Sequence, residues 1–223
     1  MGDVRAGHSV PLILQALSLG DAWLEIATRI MSDGAASTYD GLEVRELLMV
    51  TLVVQHPVSA DPLIAALGDE RHLAWMHANF TVASPVPELG NAASYSTRLR
   101  NYAGSERDQV AWVSERLRAD PTSRSATITT LQPLTDTSYI PCVSLLDLYL
   151  DAGQLHLVAY AHSIDFGTKG HANLVELARI QEEVAAELAV GVGALTLIVK
   201  SAHVYASDTD ALHEVLQRGA GKW

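Results

Sequence analysis

The sequence predicts an α+β fold on three observations. Runs rich in β-branched and apolar residues are interspersed with runs of helical periodicity. The two kinds do not alternate strictly, which argues against a βαβ series. Asp151-Ala152-Gly153 separates the apolar runs at 142–150 and 154–161, a hairpin signal that makes part of the sheet antiparallel. No internal repeat, low-complexity tract or domain-sized linker interrupts the 223 residues, so the expectation is a single domain over 1–223.

Taken in chain order, Asp21 stands ahead of Trp23, Ile26, Ala27 and Ile30 at helical spacing and Gly34 closes the run, which predicts a helix over 21–32. Residues 45–54, RELLMVTLVV, read as a strand that stops before Pro57. Two short helical pieces occupy 61–80. From 106 to 118, Val110, Val113 and Leu117 share a helical face, and Asp120-Pro121 ends it. The Thr-rich run 124–132 is a predicted strand, followed by the hairpin. Asn173 opens a long helix with Leu174, Leu177, Val184 and Leu188 on one face. Residues 195–199 form a last strand and 208–217 a terminal helix.

Composition narrows the function. Fifteen Lys and Arg against 26 Asp and Glu give a net charge of −11, which disfavours binding to a nucleic-acid polymer. A small phosphorylated ligand needs only a few local cations and stays open. The lone cysteine excludes an internal disulfide. The N-terminal segment lacks the cationic start and cleavage site of a secretory signal. The longest apolar run, 190–199, is far short of the roughly 20 residues that span a bilayer. The expectation is a soluble, cytoplasmic protein without a metal site.

Three constellations stand out. Cys142 follows Pro141 at the start of a strand, where sheet ends open into clefts. It is either core filling or a nucleophile whose thiolate a nearby cation would favour. His162-Ser163-Ile164-Asp165, followed by Asn173, is either a ligand-binding edge or loop chemistry with Asn173 as a helix cap. His203 and Tyr205 alternate on one face of an extended segment, where two polar rings would hold a hydroxyl group.

In order and spacing, these segments resemble the thymidylate synthase family, and most its short archaeal-type members. The likeness covers roughly residues 20–208, through DGLEVRELLMVTLVVQHP, ASYSTRLRNY, ERDQVAWVSERLRADPTSRSATITTLQP, YIPCVSLLDLYLDAGQLHLVAYAHSIDFGTKGHAN and KSAHVY. It implies a mixed sheet with flanking helices and a homodimer packed sheet to sheet, with arginine shared across the interface. It further implies one-carbon transfer from 5,10-methylenetetrahydrofolate to C5 of a pyrimidine nucleoside monophosphate, either as methyl or as hydroxymethyl. Cys142 matches the nucleophile that adds to C6, and Tyr95 a tyrosine at the reaction centre. Asp165 matches a carboxylate that orders the folate ring and water. Asn173 matches the amide that reads the base, with His203 and Tyr205 on the sugar hydroxyl. Arg124, Ser163, His162 and Arg45 fall to the phosphate end.

The chain departs from the family at that end. Ser125 stands for the second arginine of a Ser-Arg-Arg run, and His162 for the arginine of the Arg-Ser-x-Asp loop. Ser96 replaces a glycine after Tyr95, and Lys169-Gly170-His171 replaces more apolar residues. Arg45, Arg98, Arg100 and Lys169 are candidate replacements for the missing cations, and Glu46 and Glu70 for the family's water-ordering glutamate. The altered anion site favours a specialised nucleotide hydroxymethylase over housekeeping thymidylate synthesis. A non-catalytic nucleotide-binding homologue is the alternative of another class.

Overall fold

The strand signals assemble into one eight-stranded mixed sheet, with a separate two-stranded ribbon. The computed structural model describes residues 11–137 and 139–220. The first ten residues, on which part of the signal-peptide reading rests, lie outside the described residues.

In chain order the elements are β1 (Leu12–Ala16), α1 (Leu19–Asp33), β2 (Ala35–Tyr39), β3 (Leu42–Val54), α2 (Pro62–Leu67) and α3 (Glu70–Thr81). There follow the ribbon strands β4 (Pro85–Val86) and β5 (Ala92–Ala93), then α4 (Tyr95–Arg100), α5 (Gln109–Ala119), β6 (Thr127–Thr129), β7 (Val143–Asp151) and β8 (Gln154–Ala161). The chain ends with β9 (Ile164–Asp165), α6 (Gly170–Leu188), β10 (Gly191–Tyr205) and α7 (Thr209–Ala220). The main sheet runs β1-β3-β10-β8-β7-β6, with β2 on β3 and β9 on β10. β1 pairs with β3 and β8 with β10 in parallel, whereas β3 with β10, β7 with β8 and β6 with β7 are antiparallel.

The expected α+β class and mixed sheet are present, with three differences of extent. The strand expected at 124–132 shrinks to β6, because the Arg116 guanidinium holds the hydroxyls of Ser123 and Ser125 and draws that segment toward α5. The last strand grows from five expected residues to Gly191–Tyr205, since β3 pairs with it on one side and β8 and β9 on the other. The long helix starts at Gly170, so Asn173 lies inside its first turn instead of capping it.

Alternation sets the layers. Val50, Leu52 and Val54 of β3, Leu195, Leu197 and Val199 of β10 and Leu155, Leu157 and Ala159 of β8 are buried on the face that α1 and α6 cover. On the other face a row Ile13, Thr51, Ile198, Tyr160 and Leu145 crosses five strands in register and stays exposed or half-buried. Gln181 of α6, with no exposure, donates to the carbonyls of Leu155 and Gly193 where β8 and β10 shift register. A helix side chain there completes the bonding that the bulge interrupts.

The N-terminus of α6 is set by packing. At Gly170 a Cβ would stand 2.5 Å from Cδ1 of the fully buried Phe166, so only glycine allows this approach. Trp23 of α1 donates its indole N–H to the Phe166 carbonyl, fixing the loop from the other side. His171 stacks on Trp23 with ring centroids 4.6 Å apart, and both its ring nitrogens are buried without a hydrogen-bond partner.

Burial pushes the His171 pKa down to about 4 from 6.5. The unfolded chain therefore binds a proton below pH 6.5 that the folded chain refuses until about pH 4. Stability is full above pH 6.5 and falls with acidification through that window, by on the order of 3 kcal/mol from this residue. His162 and His203, also lowered by burial, act in the same direction. Denaturant titrations at intervals between pH 7 and pH 4 should show this slope, and His171→Phe should flatten it partly.

Candidate active site

The cleft forms where β7, β9 and β10 end against α3, α4 and the first turn of α6. It encloses about 710 Å³ of empty space, open solvent at its mouth included. Cys142, Tyr95, Ser163, Asp165, Asn173, His203 and Tyr205 all line it. Thus seven of the expected site residues, scattered from 95 to 205, share one cavity.

Cys142 is half-buried just before β7. Its position is fixed through its neighbour: the N–H of Val143 donates to the Tyr95 hydroxyl at 2.9 Å, and Thr130 donates its hydroxyl to the Val143 carbonyl. The Cys142 carbonyl itself accepts from the N–H of His162. Tyr95 is held in turn by stacking on Phe80 at 4.4 Å and by its N–H, which donates to Asn79 Oδ1. Burial pushes the Tyr95 hydroxyl well above the usual phenol range, so it stays protonated. Burial also pushes the Cys142 thiol up, with Asp165 adding to the rise and Lys169 opposing it.

Asp165 accepts from the N–H of Gly167 and from the Thr168 hydroxyl, a turn that points the start of α6 at the cleft. Asn173 gives one amide hydrogen to the Lys169 carbonyl at 3.0 Å. Its oxygen and second hydrogen are left for a ligand, an acceptor and a donor side by side. Ser163 bonds His203 Nδ1 at 3.3 Å, and the 4% exposed His203 keeps Nε2 buried with no partner. A buried polar atom without a partner is costly, and this one lies in the cleft lining. Burial lowers the His203 pKa, so its imidazole is neutral and can donate or accept there. Tyr205 meets His203 edge-on at 5.1 Å, and its hydroxyl is pushed up to about 12 by burial and by Asp165.

Other expected residues lie elsewhere. Arg124 stands in a groove with Asp147, Leu148, Tyr149 and Leu150, at the rim of the uncovered sheet face. Arg45 lies in a third groove with Ser37, Thr38 and Thr209. His162 is half-buried behind Cys142 and does not line the cleft. Arg98 is no phosphate ligand: it is 2% exposed, pairs with both oxygens of Asp136 and donates to the carbonyls of Ala93 and Thr130. Arg100 pairs with Asp108 and Glu183. Glu46 accepts from the Ser201 hydroxyl and Glu70 is exposed in the first turn of α3. Asp165 is thus the only acidic side chain that lines the cleft among the described residues. Among the described residues, no group of three or more His, Cys, Asp and Glu is placed to hold a metal ion, and no helix is long and apolar enough to cross a membrane.

Sequence reasoning missed Tyr39, Trp75, Met76, Asn79 and Tyr139 in the lining. Trp75 and Asn79 are one helical turn apart on α3, a spacing readable in the sequence, whereas the burial of the Asn79 amide was not. Trp75, Met76 and Leu89 give the cleft an apolar part of its lining.

Comparison with known proteins agrees with this geometry. The thymidylate synthase family profile matches residues 58–222. A provisionally named thymidylate synthase of Methanosarcina acetivorans is 32% identical over 92% of this chain and 94% of its own. One of Methanopyrus kandleri is 31% identical, covering 91% of this chain and 97% of its own. The deoxyuridylate hydroxymethyltransferase of Bacillus phage SP01 is 37% identical over 53% of this chain and 35% of its own.

Tyr95→Phe should leave the Val143 N–H buried and unbonded, lowering stability by about 1–3 kcal/mol in denaturant titrations. The same variant should lose more of its activity than of its stability would explain, because Cys142 is released with it. Profile, relatives and cleft converge: the chain belongs to the thymidylate synthase family and is a transferase of that family.

Proposed function

We propose that the protein transfers a one-carbon unit to C5 of a pyrimidine nucleoside monophosphate through a covalent Cys142 adduct at C6, and that the product is hydroxymethylated. The observation that carries this reading is the shared cleft. The Cys142 thiol, the Asn173 amide and the His203–Tyr205 pair line one cavity. The phage hydroxymethyltransferase and the rebuilt cation set support the hydroxymethyl outcome.

Each residue has a role that its chemistry fits. The Cys142 thiolate adds to C6, moving the ring's double-bond electrons to C5, which becomes the nucleophile. Asn173 offers its oxygen to a ring N–H and its free hydrogen to an exocyclic oxygen, as uracil presents them. His203 Nε2 and the Tyr205 hydroxyl take the sugar hydroxyl. Asp165 receives or orders a proton or water beside C5. Methylenetetrahydrofolate supplies the one-carbon unit, and Trp75, Met76 and Leu89 would hold its ring. Loss of the C5 proton would release tetrahydrofolate from the transferred carbon by breaking its C–N bond, water would then add to that carbon, and expulsion of the Cys142 thiolate would restore the C5–C6 double bond.

A homodimer completes the site. The half-exposed row from Ile13 to Leu145 is apolar at both ends, and Arg124 lines a separate groove, not the cleft of its own protomer. A neighbour docked on that row would receive Arg124 at its phosphate.

Incubation of [5-³H] uracil and cytosine monophosphates with methylenetetrahydrofolate should release tritium for at least one of them, and Cys142→Ala should abolish release. No release from any of them overturns the catalytic reading. A methyl product with equal dihydrofolate overturns hydroxymethylation in favour of thymidylate synthesis. Mixing Arg124→Ala with Cys142→Ala subunits should restore activity to about a quarter of wild type, since random pairing leaves one intact site in half the dimers. Intact mixed dimers without activity would refute shared sites.

A further inference from the structure

We infer that Lys169 is the cation that favours the thiolate form of Cys142 inside the protomer's own cleft, a positioning residue that acts on the nucleophile through charge. Among the described residues Lys169 is the only Lys or Arg that lines this cleft. Its ammonium is held over the Trp75 ring, 5.2 Å from the centroid. Trp75 lines the same cavity, so the contact keeps the charge at the cleft wall when the flexible stem would otherwise carry it to solvent. As the N-cap residue of α6, Lys169 makes no capping bond with its side chain. Asp165, the acidic side chain of the same lining, bonds the Gly167 N–H and the Thr168 hydroxyl, and no ion pair joins it to Lys169 among the described residues.

The thiol needs such a partner. Addition to C6 requires the thiolate, and burial disfavours that charge. The other titratable groups that face Cys142 are Tyr39 of β2, Tyr95 of α4, Tyr139 on the incoming segment, Asp165 of β9 and His203 and Tyr205 of β10. The tyrosines have hydroxyl pKa values above the usual phenol range and are neutral, and His203 is lowered and neutral. Asp165 works against the thiolate. Lys169 is left as the one favourable charge supplied by this chain's own cleft. The inference rests on the proposed role of Cys142 as nucleophile. Its test, however, reads the thiol with no nucleotide or folate present, so either idea can fail alone.

Cys142 is the only cysteine, so alkylation reports on it without ambiguity. The rate of modification by uncharged iodoacetamide, followed by intact mass, gives the thiol's ionisation midpoint when measured across pH 6–10. Lys169→Met removes the charge at similar length. It should raise the midpoint by about 0.5–1 pH unit and slow alkylation at neutral pH about three- to tenfold. Lys169→Arg should stay close to wild type. An unchanged midpoint in folded Lys169→Met, or an equal rise in Lys169→Arg, overturns the inference. Circular dichroism melting checks folding, and Lys169→Gln carries the test if the Met variant does not fold. With the tritium assay run on the same variants, Lys169→Met that alters the midpoint while no protein releases tritium would refute the proposed function and leave the electrostatic inference standing.

Discussion

The peptide of Val143 is held at both polar ends by side chains: its N–H meets the Tyr95 hydroxyl and its carbonyl the Thr130 hydroxyl. Everything distinctive about the cleft depends on that arrangement, because it decides where Cys142 stops. A made hydrogen bond contributes about 1 kcal/mol, but an orphaned buried one costs more, so the geometry is enforced by the penalty for leaving it. The support runs deeper than the pair. Gln109 of α5 bonds Arg98's carbonyl and both the N–H and carbonyl of Thr129, while Arg98 and Asp136 clamp the loop that leads to Cys142. Removing either partner of so buried an ion pair would cost several kcal/mol, about 3–5. Tyr95, Arg98, Gln109 and Thr130 form one polar scaffold under the nucleophile.

The opposite wall of the cleft is built by other means. Gly170 lets α6 come down on Phe166, and the turn at Asp165 aims that helix so that Lys169 and Asn173 face Cys142 across the cavity. His203 reaches the same space from β10 because β9 pairs with it at Asp165, making the loop a short strand of the sheet. The cleft as a whole thereby carries features that oppose stability: a thiol whose pKa burial raises, a buried imidazole nitrogen without a partner and a carboxylate in the same lining. Sites that bind charged transition states accept such costs, and the rigid scaffold on the Tyr95 side offsets them.

Much of this was legible in the chain. The hairpin turn at 151–153, the two pieces at 61–80 and the long helix carrying Leu174 to Leu188 follow from period and punctuation alone. Cys142, Asp165, Asn173, His203 and Tyr205 could be placed together only by order and spacing shared with a family, since nothing local brings residue 142 to residue 203. What stayed hidden has specific causes. Strand β2 contains Ala-Ala-Ser-Thr-Tyr, too polar to read by alternation, although Asp40-Gly41, at φ +49° and +79°, marks the turn that makes it a hairpin with β3. Arg98 read as a free cation because its partner, Asp136, is 38 residues away. Trp75 and Asn79 were read as helix and no more, because burial of an amide is a tertiary fact.

Under the proposed function, charge leaves the protomer's own cleft an unfinished site. The chain carries −11 overall, and a nucleoside monophosphate brings two more negative charges toward it. Lys169 is the one Lys or Arg among the described lining residues to oppose that repulsion, and its ammonium is held over the Trp75 ring. Arg98 and Arg100 are committed to carboxylates, and burial lowers the affinity of His162 for a proton. A phosphate therefore needs a cation from outside the protomer. The surface that would bring one is the row from Ile13 to Leu145, apolar at both ends and flat across five strands, with Arg124 at its margin. Under the proposed assembly the same contact buries the exposed face and supplies the missing charge, so dimer stability and nucleotide affinity become linked quantities.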